Sequence, residues 1–289
     1  MPPRWLGFAI VVFWLATSAV FFYHEYWPYL EPGAPPPFAV DLVDEVRNPV
    51  PILWKVSYEG KPAFLAKTHV EHDAKANIFI LRAYFTPDPP QSTGPNVFGL
   101  SVKRLGSSYR VTPEGQLLGL GAGVDAVYKS PIAVVNQPRE VAGSAQLTGT
   151  VANGRFDGTY EVVVEGITLK SGTISVPVSA QGSVLIPLHP VNHLRGLRRG
   201  QTWRVPVIDP LDELLAGLVS GSRPDPTFLN ARVLPKTEMH TWSNKQWECL
   251  VIEYQGDEMS ARTLVTVEDD LVLLQEVTKS GATMTLERE

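Results

Sequence analysis

Hydrophobic residues follow two different patterns along the chain. The first is an uninterrupted apolar segment from Trp5 to Tyr23, nineteen residues without a charged side chain. As a helix rising roughly 1.5 Å per residue, it would extend about 28 Å, close to the thickness of a membrane hydrocarbon core. After Phe38, short runs rich in Val, Ile, Thr, Tyr and Phe alternate with Gly, Pro, Asn and Asp. This second pattern is typical of β-strands joined by turns.

The second pattern predicts a mainly β body. Its predicted strands are 52–59, 63–71, 77–85, 97–105, 108–112, 116–120, 145–152, 159–165, 173–179, 183–188, 202–208, 228–234, 247–254, 262–268, 271–278 and 283–288. Hairpin turns are predicted at Pro113 to Gly115, Asn153-Gly154, Gln255 to Asp257, Glu268 to Asp270 and Ser280-Gly281. The final 60 residues are therefore expected to form an antiparallel meander.

One helix is predicted inside the β body. Asp209 is a suitable N-cap, Pro210 occupies the first helical position, and Ser220-Gly221 ends the helix. Its leucines fall at i, i+3, i+4 and i+7 and form one apolar stripe: Leu211, Leu214, Leu215 and Leu218. The expected fold is a large antiparallel half-barrel or curved sheet with one short amphipathic helix, preceded by an N-terminal transmembrane helix.

These patterns divide the chain into a signal anchor or transmembrane helix over residues 1–27, a proline-rich tether over 28–38 and an extracytoplasmic β-rich domain over 39–289. Arg4 precedes the apolar segment and acidic residues follow it, which predicts a cytoplasmic N-terminus and a body on the periplasmic side. A signal peptide cleaved after Ser18 or Ala19 and a buried core helix are alternatives. The anchor is favoured because the apolar run continues past Ser18.

Charge and cysteine content restrict the partners. The net charge is −5, the pI is near 5.7 and no long run of like charge occurs, so nucleic acid is not expected as a partner. The expected partners are a membrane, through Trp5 to Tyr23, together with a lipid, a lipoprotein or an envelope protein. Cys249 is the single cysteine, which excludes an intrachain disulfide and a metal site of four thiolates. No cofactor and no metal ion are predicted.

Two groups of histidines are candidate ligands or bases. His69, Glu71 and Asp73 alternate on a predicted strand and so share a face, whereas His72 points to the other side. Two ligands of borderline spacing do not define a metal site, and a solvated strand face is the favoured interpretation. The second group, His189 and His193, flanks Pro190 in a predicted loop and has the same interpretation.

Cys249 is the candidate nucleophile. It would need a base such as His240 within hydrogen-bond reach, and a lone cysteine in an apolar strand is more often a small core residue. The sequence contains no nucleophile elbow, phosphate-binding loop, His-Glu-x-x-His motif or dinucleotide fingerprint. No catalytic residue is assigned, and the protein is not expected to be an enzyme.

The candidate ligand-binding residues are the leucine stripe, Leu211, Leu214, Leu215 and Leu218, with three tryptophans, Trp203, Trp242 and Trp247. Aromatic side chains line cavities and also fill cores. For the tryptophans the core interpretation is favoured. The leucine stripe packs on the sheet under either interpretation.

Parts of the body resemble a known family. The segments Cys249-Leu-Val-Ile-Glu-Tyr, Ala261-Arg-Thr-Leu-Val-Thr-Val, Leu271-Val-Leu-Leu-Gln-Glu and Met284-Thr-Leu-Glu-Arg are similar to the closing strands of the LolA/LppX-like periplasmic carriers. The strand, turn and strand from Tyr109 to Leu118 resemble them as well. With the predicted helix, the resemblance extends over about the last 180 residues. It implies an unclosed β-barrel that holds lipid or lipoprotein acyl chains in an apolar cavity.

Three functional hypotheses follow. The leading one is a membrane-anchored extracytoplasmic module that binds a hydrophobic ligand or an acylated partner. The second is a protein-interaction or assembly subunit of a cell-envelope complex, with a filled core and no ligand cavity. The third, a hydrolase built on His69 or Cys249, is the least favoured. An apolar cavity of roughly several hundred Å³ under the helix from Leu211 to Leu218 would support the first hypothesis, and a solid core there would contradict it. A dry core with a large exposed apolar patch elsewhere would support the second.

Overall fold

The computed structural model describes residues 4–22, 42, 46, 50–88, 96–97, 100–113, 116–134, 137–177, 191–207 and 228–289. Its elements are α1 (Arg4–Phe21), β1 (Ile52–Tyr58), β2 (Lys61–Asp73), β3 (Ile78–Pro87), β4 (Asn96–Val97), β5 (Leu100–Val111), β6 (Leu117–Val134), β7 (Gln137–Ala152), β8 (Arg155–Val164), β9 (Ile167–Pro177), β10 (Thr202–Pro206), β11 (Phe228–Val233), β12 (Glu238–Trp242), β13 (Lys245–Gln255), β14 (Met259–Thr266), β15 (Val272–Lys279) and β16 (Ala282–Arg288). The tether, the predicted strand 183–188 and the predicted helix over Asp209 to Gly221 lie outside the described residues.

The strands form one antiparallel sheet of sixteen. The main path runs β10-β11-β13-β14-β15-β16-β1-β2-β3-β5-β6-β7-β8-β9, while β12 pairs with β13 and β4 with β5. Within the described residues the two end strands, β9 and β10, are not paired with each other, so the sheet is an unclosed barrel. The predicted mainly β fold and the predicted C-terminal meander, β13 to β16, are confirmed.

The predicted N-terminal segment forms α1, which has 18 residues. Its described side chains are largely exposed, with Phe13 at 70% and Trp14 at 64%. In the part of the chain that the structure describes, no helix combines the length and the apolar character needed to cross a membrane. The transmembrane part of the predicted fold class is therefore not supported.

Two-residue turns join many of the strands. Asn153-Gly154 has φ angles of 52° and 70°, and Ser280-Gly281 has 50° and 84°. Positive φ at both positions defines the type I′ turn, whose twist matches that of the flanking strands. Both turns were predicted and are confirmed. Glu59-Gly60 and Glu165-Gly166 have the same geometry at turns that were not predicted.

The sheet has an inner face, which is defined by two clusters of buried apolar residues. The central core lies on β1, β2, β3, β5, β10, β11 and β13 to β16 and includes Trp54, Val56, Phe64, Phe85, Leu105, Trp203, Leu229, Val233, Ile252, Tyr254, Val265, Val277 and Leu286. The wing core consists of Leu42, Phe79, Leu81, Tyr109, Val111, Leu117, Leu120, Leu147 and Phe156. Since side chains alternate along a strand, both clusters lie on the same side of β3 and β5.

A smaller cluster covers the opposite face of β13, β14 and β15. This outer cluster consists of Cys249, Val251, Leu264 and Leu273, with Leu234, Trp242, Trp247, Leu271 and Leu274 packed against it. The hairpin of β12 and β13 supplies both tryptophans. The middle of β13 is therefore buried on both faces, from Cys249 to Ile252. A strand buried on both faces has a continuous apolar sequence, as β13 has.

The strands β6 to β9, here called the wing, are rich in glycine. A Cβ placed on Gly149 would lie 2.5 Å from the Phe156 ring, and one on Gly158 would lie 2.8 Å from it. A Cβ on Gly172 would lie 2.8 Å from the Tyr160 hydroxyl. The rings of Phe156 and Tyr160, on the inner face, therefore occupy the space that side chains at these three glycine positions would need. Glycines at such positions let a sheet bend sharply while its surface stays covered.

The strand predictions fail mainly around the wing. The predicted strands 97–105 and 108–112 are one continuous strand, β5, and the predicted strand 116–120 continues through Gly121 and Gly123 to the end of β6. The strand β12 was not predicted. Glycine has low β-propensity, so the pattern stops where β6 becomes glycine-rich, although cross-strand pairing with β5 and β7 keeps the backbone extended.

Candidate functional site

The inner face of the wing continues as an apolar surface beyond the wing core. Cross-strand register and side-chain alternation place the following residues on this face, here called the wing patch: Val124, Ala126, Tyr128, Val141, Ala145, Val162, Val164 and Ile167. All of them are half-buried or exposed, and Ile167 is 66% exposed. The wing therefore presents mostly aliphatic side chains on the same face whose residues form the buried central core.

The other face of the wing has the opposite chemistry. Exposed polar residues alternate with the wing patch along β7, β8 and β9: Gln146, Thr148, Thr159, Glu161, Ser171 and Thr173. Lys170, opposite Val162 on β9, adds one charged residue at the rim of the inner face. The polarity of the two faces matches that of a sheet whose inner side contacts apolar material and whose outer side contacts water.

The wing patch lies between the two buried clusters. On one side Leu42, which is buried, and Val46 pack on the wing core. On the other side Val124 and Val102 pack against the central core. The wing patch is thus continuous with the central core, and an apolar molecule on the patch would reach it without crossing a polar surface.

Three polar side chains lie inside the central core. Tyr254 on β13, Thr263 on β14 and Gln275 on β15 face inward and are 5%, 2% and 2% exposed. Thr263 and Gln275 are direct cross-strand partners. Thr263 shares a hydrogen bond with the Tyr254 hydroxyl. Gln275 Nε2 is buried and has no hydrogen-bond partner among the described residues.

Trp203, one of the predicted ligand-binding residues, lies beside this polar group. It is buried in the central core, and its ring centroid is 6.3 Å from that of Tyr254, with the two rings at 87°. Edge-to-face contacts of this kind stabilise aromatic pairs beyond the area that they bury. Trp203 therefore fixes the ring plane of Tyr254 and hence the position of its hydroxyl.

The other predicted ligand-binding residues lie elsewhere. Trp242 and Trp247 contact each other in the outer cluster, with centroids 5.8 Å apart, and Trp247 Nε1 donates a hydrogen bond to the Trp242 carbonyl. They are separated from Trp203 by the thickness of the sheet. The leucine stripe lies outside the described residues, so its role stays a prediction: Leu211, Leu214, Leu215 and Leu218.

Cys249 does not have the surroundings of a nucleophile. It is fully buried in the outer cluster, and burial, followed by the carboxylates of Glu238 and Glu248, raises the pKa of its thiol to about 11. Its sulfur contacts the Trp247 carbonyl at 3.7 Å. His240 instead points toward the Glu287 carboxylate, 4.0 Å away. A thiol that stays protonated at neutral pH is a core residue rather than a nucleophile.

His69 and Glu71 share the outer face of β2, as predicted. His69 Nε2 is 3.1 Å from Glu71 Oε1, Arg82 Nε is 3.1 Å from the same oxygen, and the His69 ring stacks on Tyr84. The hydrogen bond from His69, with a smaller contribution from Arg82, lowers the pKa of Glu71. Because the carboxylate is already paired with both neighbours, the cluster is a surface ion-pair network.

Three of the remaining candidates have local structural partners, whereas His189 lies outside the described residues. Asp73 Oδ1 accepts hydrogen bonds from the Lys75 and Ala76 amides and so closes the turn after β2. His72 stacks on Phe79 on the other face of that strand. His193 pairs with Leu271 in a β-bridge. Within the described residues, no group of three or more His, Cys, Asp or Glu side chains is placed to hold a metal ion.

Sequence reasoning did not identify the wing patch or the buried polar group. The available signal for the latter was Gln275, an amide within the apolar run Leu271-Val-Leu-Leu-Gln. The face that Gln275 occupies could not be assigned, because a bulge between Leu264 and Val265 shifts the register of β14 against β15. The wing patch escaped notice because alanine, glycine and valine alternate there with threonine and serine, which gives a weak amphipathic pattern.

Taken together, these features define the class of the protein, a mainly β chain with an unclosed, barrel-like antiparallel sheet whose inner face is apolar. No protein family matches the sequence, and no curated protein is significantly similar to it. Among solved structures, the chain is similar to a β-barrel-like protein of the domain of unknown function DUF1849 from Brucella abortus. The two are 11% identical, the alignment covers 83% of this chain and 96% of that one, and the TM-score is 0.33. The expected LolA/LppX-like relationship is not specifically supported.

Proposed function

We propose that this protein is a binding module for an apolar ligand, the acyl chain of a lipid or of an acylated partner, which lies along the inner face of the sheet. The observation that supports it is the wing patch, an aliphatic surface that is half-exposed and continuous with the central core. Ligand sites of soluble β proteins are concave, mostly apolar and carry few polar groups. The inner face has this composition.

The choice of an acyl chain follows from the side chains of the wing patch. They are mainly small or branched aliphatic residues, such as Val124, Ala145 and Val162, which present a smooth surface of methyl groups. A flexible alkyl chain covers such a surface with close contacts, and each buried methylene stabilises the complex by about 0.8 kcal/mol. The opposite face of the same strands is mostly polar, with residues such as Gln146, Thr148 and Glu161.

We further propose that the body is held outside the cytoplasm, next to a membrane, by the segment from Trp5 to Tyr23. The support is the charge asymmetry around that segment, with Arg4 before it and acidic residues after it. Alkaline phosphatase fused after Glu289 is expected to be active, since this reporter folds only after export. An inactive fusion, with the corresponding cytoplasmic reporter active, would contradict the proposed orientation.

The binding proposal is tested with the full chain and Nile red, an uncharged apolar dye that fluoresces strongly out of water. The variant Val162→Glu places a carboxylate on the wing patch, and Val163→Glu, one residue along β8, places it on the outer face. We expect the first to weaken dye binding at least tenfold, equivalent to about 1.4 kcal/mol, and the second to leave it within twofold. Equal affinities for both variants would contradict the proposal.

Native mass spectrometry identifies the natural ligand. The full chain is extracted in mild detergent and sprayed intact, and a copurified species of lipid mass is expected on wild type and on Val163→Glu. The same species is expected to be absent or much reduced on Val162→Glu. Retention of that species by Val162→Glu would place the ligand somewhere other than the wing patch.

A second candidate function, a protein-interaction subunit, is favoured by the tip of the β8–β9 hairpin. Ile167 and Leu169 are 66% and 65% exposed there, on β9, an end strand of the described sheet. Exposed aliphatic residues at a sheet edge are a common protein contact. A photo-crosslinking amino acid at Leu169 is expected to give one defined protein adduct in cells if this function is correct, with Ser171, a polar position on the same strand, as the control.

A further inference from the structure

We propose that Tyr254, Thr263 and Gln275 form a polar anchor that binds an uncharged oxygen acceptor, an ester or amide carbonyl, at the head of the apolar ligand. The inference rests on the binding function proposed above and adds the class of head group. Its elements are three neighbouring inward-facing side chains on β13, β14 and β15.

The position of Gln275 indicates a role beyond packing. The residue is only 2% exposed, and its Nε2 has no hydrogen-bond partner in the described part of the chain. A buried donor without an acceptor costs roughly 1–3 kcal/mol. A leucine of similar size would avoid that cost, because the neighbouring inward residues, Ile252, Val277 and Leu286, are aliphatic. A ligand oxygen that accepts from Nε2 would offset it.

The geometry of the neighbouring strands orients that donor. Thr263 is the cross-strand partner of Gln275, and Leu286 is its partner on the other side, so the amide is confined between a hydroxyl and an aliphatic side chain. The hydrogen bond between Thr263 and Tyr254 extends the polar surface by one strand. Trp203 packs against Tyr254 and limits the movement of its ring. The three polar side chains thus lie next to one another on three adjacent strands of the inner face.

The charges around the anchor select a neutral acceptor. Burial raises the pKa of Tyr254 far above neutrality, so its hydroxyl stays protonated. The amide and the threonine hydroxyl carry no charge at any ordinary pH. Arg288, two positions beyond Leu286 on β16, is engaged with Asn192, and its guanidinium lies 6.0 Å from the Trp54 ring. A carboxylate at the anchor would be desolvated without a cationic partner, which is costly. An ester or amide carbonyl carries no net charge and would not incur this cost.

Flexible side chains next to the anchor allow a ligand to enter the packed core. Met259 and Met284 belong to or pack against the central core, on the same two hairpins as Thr263 and Gln275. Methionine has an unbranched side chain that adapts its shape to its neighbours at low cost. Ala261, between Tyr254 and Val277 in the cross-strand register, contributes only a methyl group at that position.

The test uses the full chain and two fluorescent probes with the same conjugated C18 chain: the methyl ester of cis-parinaric acid, which has a carbonyl, and the corresponding octadecatetraene, which has none. Wild type is expected to bind the ester more tightly. Gln275→Leu is expected to weaken ester binding about tenfold, equivalent to about 1.4 kcal/mol, and to leave hydrocarbon binding within twofold. Glu276→Gln, at the next position of β15 on the other face, is the control.

The outcomes separate the anchor from the binding function. If wild type binds neither probe, the proposed function fails and the anchor with it. If both probes bind and Gln275→Leu leaves their affinities unchanged, or weakens both equally, the binding function stands and the anchor is wrong. Tyr254→Phe provides a second variant in case Gln275→Leu does not fold, and it is expected to weaken only ester binding, by about threefold or more. The free acid of the probe is expected to bind more weakly than the ester at neutral pH.

Discussion

Single side chains in this protein take their properties from the face of the sheet on which they lie. Cys249 and Leu250 are adjacent in sequence, yet Cys249 belongs to the outer cluster and Leu250 to the central core. The thiol could be recognised from sequence as a core residue, because it lies in the apolar run of β13. The β12–β13 hairpin, which covers the thiol with Trp242, could not be recognised from sequence, because β12 lacks an apolar pattern.

The pKa of Cys249 predicts how stability changes at alkaline pH. Its folded value of about 11 is above the ordinary value of 9.0, so the folded state favours the protonated thiol. This contribution is fully present below about 9 and is lost as the pH rises toward about 11. We expect the free energy of unfolding of wild type to fall across that range relative to that of Cys249→Ala, measured by urea denaturation.

Comparison with Cys249→Ala removes the effects of other groups that titrate in the same range, including tyrosines and lysines. A constant difference between the two proteins across the range would show that the thiol is not buried as described. Native protein is also expected to react with a thiol reagent only as fast as it unfolds, whereas protein in guanidinium reacts at once.

The lowered pKa of Glu71 predicts that the free energy of unfolding falls toward acid pH, whereas the Cys249 thiol lowers it toward alkaline pH. Its folded pKa is below the ordinary value of 4.5 because of the hydrogen bond with His69 and, to a smaller extent, the ion pair with Arg82. Glu71 therefore stabilises the fold above that value and loses this effect as the pH falls through the folded pKa. The side chain is 45% exposed, and solvent screening keeps the effect below about 1 kcal/mol. We expect Glu71→Gln to be slightly destabilising at neutral pH and neutral below the folded pKa.

Thermal unfolding of wild type and Glu71→Gln over a pH series checks this prediction. The difference in stability is also expected to shrink in about 1 M salt, where exposed ion pairs are screened. A difference that persists unchanged at acid pH would mean that the introduced amide disturbs packing, and the ion-pair network would then not be its cause.

At the scale of the elements, the wing shows where sequence patterns stop being informative. Apolar runs and turn residues predicted most strands of β13 to β16 and the turns between them, because those strands pack on continuous cores. In β6 and β7, glycine replaces the β-branched residues that normally indicate a strand. The extended backbone there depends on cross-strand pairing of β6 with β5 and β7 and on the Phe156 ring beside Gly149, which the sequence pattern of a single strand does not contain.

The aromatic covering of the wing glycines predicts a contrast between two alanine variants. In Gly149→Ala the new Cβ would lie 2.5 Å from both the Asp157 carbonyl and the Phe156 ring, whereas in Gly123→Ala the nearest atom would be 3.8 Å away. We expect the first to destabilise the fold by about 1–3 kcal/mol through overpacking. Gly123→Ala also removes a glycine from an extended strand, so we expect it to leave the free energy of unfolding unchanged or to raise it slightly.

Urea denaturation of both variants measures this contrast. Phe156→Leu combined with Gly149→Ala provides a further check, because a smaller side chain makes room for the added methyl group. The double variant is expected to be less destabilised than the sum of the two single variants. Strict additivity would mean that the ring and the glycine do not compete for the same space.

At the scale of the whole molecule, β16 joins the C-terminal and N-terminal parts of the described sheet. It pairs with β15, which precedes it directly, and with β1, which begins the body. The sequence predicted the strand itself but not its second partner, because pairing across such a distance leaves no trace in a local pattern. The general mainly β architecture was thus predictable, whereas the strand order and the inner face that carries the candidate site were not.

The junction at β16 predicts cooperative unfolding of both halves. Leu286 is fully buried in the central core, on the strand between β15 and β1. We expect Leu286→Ala to destabilise the fold by about 2–5 kcal/mol and Thr285→Ala, at the neighbouring position on the other face, to cost much less. Hydrogen exchange followed by mass spectrometry is expected to show β1 and β15 losing protection together in Leu286→Ala. Loss confined to β15 and β16 would show that the halves unfold independently.

The pairing of β1 with β16 also determines when the protein can fold during synthesis. The Glu59 amide bonds to the Thr283 carbonyl, and these residues are 224 positions apart. One edge of β1 therefore has no partner while the ribosome is still producing the strands in between, and such long-range pairing is slow. Until β16 has been synthesised, the apolar strands made before it lack part of their sheet and expose surfaces that are prone to aggregate.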